Sequence, residues 1–232
     1  MKKTRYRIWN IFYPILLYYT ISSIVFFAMT MIVGSSQELY MLKQMISSGA
    51  VIPFLFSAWK QETYAETVVF GKQDKNIGKL IGQILLSCMT VGCLGMALNN
   101  FIAMTPLMQV SDGFLEANEN FFAGTVFMEL LASCVIIPIA EELLFRGVVL
   151  QRCIGLVGER MGIIFSALLF GLIHMNLVQF LYASVIGLVL ALIVQKTKKI
   201  SLAVWGHGMA NLIAIVRAEK GWCDFESQQN VK

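Results

Sequence analysis

Apolar residues along this chain come in long runs rather than in the short alternations of a soluble domain. Seven runs stand out, at about residues 8–33, 44–59, 80–98, 123–152, 161–176, 178–195 and 201–217. Most approach the roughly 20 residues that a helix needs to cross a bilayer. The stretch from Met161 to Val194 is too long for one crossing, and "HMNLVQ" (174–179) is the natural break. The fourth run is longer than a crossing requires, so it is expected to tilt or project into water. The pattern predicts an all-α polytopic bundle of about seven transmembrane helices.

Composition agrees with the pattern. Of 232 residues, 57% are hydrophobic and only 14% charged, too little polar surface for a soluble domain of this size. The length fits one membrane domain with short loops. The first run follows "MKKTRYRIWN" but exceeds a signal-peptide core and precedes no small-residue cleavage site, so it reads as an uncleaved first span. Cys88, Cys93, Cys134 and Cys153 lie in or beside apolar runs, with Cys223 in the tail. No metal-type spacing appears, and they read as small packing residues.

Charge placement orients the bundle. With the N-terminus inside, 14 of the 18 basic residues fall on inner segments: Lys2, Lys3, Arg5, Arg7, Lys60, Lys72, Lys75, Lys79, Arg146, Arg152, Arg160, Lys196, Lys198 and Lys199. The segment "TPLMQVSDGFLEANEN" (105–120) carries three acids and no base, as an outer loop should. This gives an N-terminus inside and a C-terminus outside. The chain divides into N-terminal helices without a recognised motif (1–119), a motif-bearing part (120–217) and a polar tail (218–232).

Ionisable residues inside apolar runs cost about 2.5–3.5 kcal/mol each on insertion scales, and they mark functional sites by default. "AEELLFRG" (140–147) places Glu141, Glu142 and Arg146 in the fourth run. Glu142 and Arg146 are four apart, so they can pair on one helix face and leave Glu141 over. Pro138 is expected to free a backbone carbonyl and bend the helix there. The chain's two histidines, His174 and His207, are both intramembrane, and Asn211 follows His207 on the same face. At a rise of about 1.5 Å per residue, Glu141, His174 and His207 lie roughly 16, 21 and 12 Å from Arg152, Arg160 and Lys199. All three can therefore meet in one cavity, expected to open toward the inner face.

The motifs "EELLFR" (141–146), "FGLIH" (170–174) and "HGMAN" (207–211), in this order on successive membrane helices, resemble the CPBP family. This is the CAAX-protease and bacteriocin-processing family, also called Abi, which includes the type II prenyl-protein endopeptidases. The resemblance covers about residues 120–215 and implies an intramembrane endopeptidase. It implies Glu141 as the general base on water, with His174 orienting that water and His207 and Asn211 binding the oxyanion. Arg146 would hold Glu142 in place. Gly206 and Gly208 allow close approach of either a substrate backbone or a neighbouring helix.

A metal version competes: Glu141, His174 and His207 make a plausible three-ligand zinc site. No H-E-x-x-H is present, however, and no carboxylate stands behind either histidine in the sequence, so metal-free chemistry is the favoured expectation. A non-catalytic scaffold or bacteriocin self-immunity protein, or a proton-coupled transporter, would use the same residues differently. The expected partners are the membrane and a peptide or protein substrate at the inner face, with no nucleic acid. The expected location is a bacterial plasma membrane. Candidate substrates are CAAX-type tails, pheromone precursors and bacteriocin precursors.

Overall fold

A computed structural model describes residues 8–70 and 76–220, with side chains in 8–63 and 76–218. Lys2, Lys3, Arg5, Arg7, Lys72, Lys75 and Cys223 lie outside the described residues. Every regular element among the described residues is helical. The eight longer helices among the described residues are α1 (Ile8–Val33), α2 (Tyr40–Phe70), α3 (Ile77–Ala103), α4 (Asp112–Phe121), α5 (Val126–Val157), α6 (Glu159–Leu172), α7 (Leu177–Thr197) and α8 (Ile200–Lys220).

Four of these, α1, α3, α7 and α8, together with Gln37–Thr63 around α2, are long and apolar enough to cross a membrane. The fifth helix, α5, meets α4 at a bend of 110°, the geometry of a broken span or a re-entrant loop. The run expected at 161–176 is α6, whose 14 residues are short for a crossing. The chain is thus a multi-pass membrane protein with five such helices, or six with the bent pair. Large apolar side chains on the outward face of α1 fit lipid contact: Ile24 and Phe27 are each 63% exposed and Ile32 is 76% exposed. The 105–120 segment, expected as a loop, is largely helical, because α4 turns an apolar face inward and leaves Asp112, Glu116 and Glu119 exposed.

Helix α8 packs along α3, and α7 packs along α6. Small residues bring these helices close. A side chain at Gly206 would come within 2.7 Å of Ser87 Oγ on α3, and one at Gly208 would collide with the Cys134 carbonyl on α5. Both glycines therefore serve helix packing. Of the cysteines, Cys88 and Cys153 are buried, Cys134 is half-buried and Cys93 is exposed; all four are free thiols. One core cluster joins α1, α2, α5, α6 and α7 around Leu144, Phe145 and Phe170. A second joins α3, α5, α6, α7 and α8 around Val91, Leu150 and Leu190.

Helix α5 carries the site and is irregular. It widens to π-helical turns at Ala132–Ile136 and again at Leu143–Val149. Pro138 explains the first. In the wide turn, Ile137 N–H donates to Ala132 O, five residues back. In that register the Ser133 carbonyl would receive the N–H of residue 138, which proline lacks. The proline therefore frees a carbonyl, as expected from the sequence, through a widened turn.

Candidate active site

The freed carbonyl is satisfied from another helix. Asn211 Nδ2 on α8 donates to Ser133 O at 2.7 Å. One turn back on α8, His207 meets the glutamates of α5. Glu142 is fully buried, and a carboxylate only accepts hydrogen bonds, so His207 Nδ1 donates to Glu142 Oε1 at 2.9 Å. The other oxygen of Glu142 lies 3.1 Å from Arg146 Nε, the i,i+4 pair that the sequence spacing predicts.

Arg146 is 1% exposed and has two further anchors. Its Nη2 donates to the Gly187 carbonyl on α7 at 3.2 Å, and its guanidinium stacks over the Phe170 ring at 4.1 Å. Phe170 is the hub of the site. Its ring also meets His174 and His207 edge to face, with centroids 5.4 and 5.7 Å away. Its carbonyl accepts from His174 Nδ1 at 3.0 Å. With that nitrogen donating, neutral His174 presents an acceptor at Nε2.

Glu141 stands apart from the buried ion pair. Its Oε2 lies 3.9 Å from His207 Nε2, too long for a direct hydrogen bond and suited to a bridging water. His174, Tyr18 and Tyr19 are within electrostatic reach of it. Helix packing thus brings Glu141, Glu142, Arg146, His174 and His207 together around Phe170, with Asn211 one turn further along α8.

Three expectations bear on this geometry. His207 does have a carboxylate behind it: Glu142 reaches it across the bundle from a different helix, which no sequence spacing reveals. The zinc alternative, Glu141 with His174 and His207, finds no ready ligand cluster here. Among the described residues no three His, Cys, Asp or Glu side chains are grouped to hold a metal. The third concerns access. Asn211 lines a cavity of about 320 Å³ with residues of α3, α4, α7 and α8, at the end of the bundle where α4 lies. Charge placement assigns that end to the outside. At the basic end lies a recess of about 20 Å³, lined by Arg146, Glu62 and Lys198 among others. Counting residues from the basic ends missed this because α6 ends at Leu172. His174 therefore sits at the far end of its helix, in the turn leading to α7.

Phe170, Ser133 and the Gly187 carbonyl were not singled out from the sequence. Phe170 opens "FGLIH", so its identity was visible but not its stacking role. The two carbonyls carry no side-chain signal at all.

A helical membrane bundle that buries an ion pair and two histidines around one half-open carboxylate has the makings of an intramembrane hydrolase. Residues 123–213 match the family model described as "Type II CAAX prenyl endopeptidase Rce1-like", so this segment is similar to that family of endopeptidases. The match begins just before α5, runs into α8 and includes Glu141, Glu142, Arg146, His174, His207 and Asn211. No curated protein and no solved structure matches the chain.

Proposed function

We propose that the chain is an intramembrane endopeptidase that cleaves a membrane-associated peptide or protein with water activated at Glu141, without a metal. The observation that carries this reading is the gap of 3.9 Å between Glu141 Oε2 and His207 Nε2, beside a Glu142 already engaged by His207 and Arg146. One carboxylate is structural and the other is available for proton transfer.

In this reading a water sits against Glu141, oriented by the Nε2 lone pair of His174. Glu141 takes its proton as the oxygen attacks the scissile carbonyl. His207, held by Glu142 at Nδ1, presents Nε2 to the oxyanion, and the second amide N–H of Asn211 joins it. As the intermediate collapses, Glu141 passes its proton to the leaving amine. The substrate arrives from the end of the bundle that carries α4. Candidate substrates are CAAX-type tails and pheromone or bacteriocin precursors, in a bacterial plasma membrane that the chain crosses with its N-terminus inside.

One observation favours a second reading, a non-catalytic scaffold: Asn211 already spends one donor on Ser133. The deciding experiment reconstitutes wild-type and Glu141→Gln protein in liposomes with each candidate peptide and follows cleavage by mass spectrometry. The expected result is a discrete product with the wild type and none with the variant. Identical product from both would end the glutamate mechanism.

A further inference from the structure

The break between α6 and α7 holds an amide network that the proposed mechanism does not use. Met175 takes a left-handed φ of 58°, uncommon outside glycine and kept where the surroundings hold it. This turn lets the Asn176 side chain reach both ways. Its Oδ1 caps α7 by accepting from the Gln179 backbone N–H at 2.9 Å. Its Nδ2 donates one hydrogen to the His174 carbonyl at 3.0 Å and the other to Gln179 Oε1 at 2.6 Å. Helix α4 closes over the network: a Cβ added at Gly113 would lie 3.3 Å from that of Asn176.

These bonds fix the polarity of both amides. A backbone N–H on one side and the His174 carbonyl on the other admit only one orientation of Asn176. Its nitrogen then faces Gln179 and takes the oxygen there, which leaves the amide nitrogen of Gln179 over. Gln179 Nε2 has no hydrogen-bond partner among the described residues. Gln179 lines the cavity of about 320 Å³ that Asn211 also lines, where Phe114 and Phe121 of α4 supply apolar walls. That volume suits a short peptide segment. Two N–H donors beside apolar walls select an acceptor, and a peptide offers one at every residue, its main-chain carbonyl.

We propose that Gln179 is a substrate-contact residue whose amide N–H groups bind a main-chain carbonyl of the peptide, with Asn176 holding it in the donating orientation. The hydrogen bond from Asn176 to the His174 backbone sets this contact beside the candidate site. The proposal rests on the peptidase reading for its occupant, but binding tests it separately from cleavage.

The probe is an N-dansylated apolar tetrapeptide amide, with four analogues that each replace one carbonyl oxygen by sulfur, a weaker acceptor. Fluorescence anisotropy follows binding to full-length Glu141→Gln protein in detergent micelles, measured against protein-free micelles. The same protein is tested with Gln179→Met, Gln179→Glu or Asn176→Asp added. One analogue should bind about twofold to tenfold more weakly than the parent peptide, the range of a single neutral hydrogen bond. Gln179→Met should weaken the parent peptide by a similar factor and erase that difference. Gln179→Glu should weaken it further, because its carboxylate still accepts from Asn176 and sets an acceptor against the carbonyl. Asn176→Asp keeps the helix cap, but both its oxygens accept, so Gln179 turns its nitrogen away from the cavity. That variant should unfold like its parent and still lose the sulfur difference. If Asn176→Asp does not fold, the two Gln179 variants must still show the loss. No saturable binding, equal binding of all five peptides, or affinities that survive both Gln179 substitutions overturns the contact. Binding that depends on Gln179, without cleavage of any candidate by the wild type, would defeat the peptidase reading and leave the contact standing. Cleavage with a KM unmoved in Gln179→Met would do the reverse.

Discussion

Glu142 joins His207 and Arg146 through its two carboxylate oxygens, at 2.9 Å and 3.1 Å, with no exposed surface of its own. The carboxylate thereby fixes which nitrogen of His207 faces Glu141. It also offsets the guanidinium that α5 carries through the core. A buried charge that loses its partner is costly, whereas a half-open one can rehydrate.

That contrast separates the two glutamates. Glu142→Gln leaves Arg146 without its counter-charge and should lower stability by about 3–5 kcal/mol. Glu141→Gln should leave thermal unfolding near the wild type and abolish cleavage. Unfolding curves in detergent, read beside product formation, check both. Equal stability of the two variants, with activity lost only in Glu142→Gln, would reverse the assignment.

Asn211 and Pro138 should prove coupled. Asn211→Ala removes the donor to Ser133 O and, in the proposed mechanism, an oxyanion contact, so turnover should fall about a hundred- to a thousandfold. Pro138→Ala restores an N–H at position 138 that can satisfy the freed carbonyl locally. In that background the stability cost of Asn211→Ala should shrink while the loss of turnover persists. A double-mutant cycle on unfolding and kinetics reads both. If stability and turnover recover together, Asn211 is purely structural.

Metal removal gives a third outcome. Purified active protein should contain no stoichiometric zinc by elemental analysis, and incubation with a chelator should leave the cleavage rate unchanged. One zinc per active chain, with activity lost on chelation and regained on adding metal, would establish the zinc mechanism instead.

Orientation sets which compartment the α4 end of the bundle faces. Glu116 is exposed on α4, in the segment that charge placement puts outside. A single cysteine at this position, in a chain with its native cysteines replaced, should react with a membrane-impermeant maleimide in intact cells. Labelling only after permeabilisation would place this end, and the cavity with it, on the inner side.

The sequence alone determined the all-helical membrane class, the break between α6 and α7, the Glu142–Arg146 pair and the carbonyl freed by Pro138. Each follows from local rules: apolar run length, helical spacing, or the missing N–H of proline. Tertiary structure alone decided which partner each polar group takes across the bundle. His207 is 65 residues from Glu142, and Asn211 is 78 from Ser133. Those distances are closed only when small residues such as Gly208 let α8 lie against α5. The packing also placed Phe170 between a cation and two imidazoles, gave Gly206 and Gly208 to helix contact, and set the wider cavity at the end away from the basic segments. Spacing along one helix shows which side chains share a face. What that face meets depends on how the helices pack.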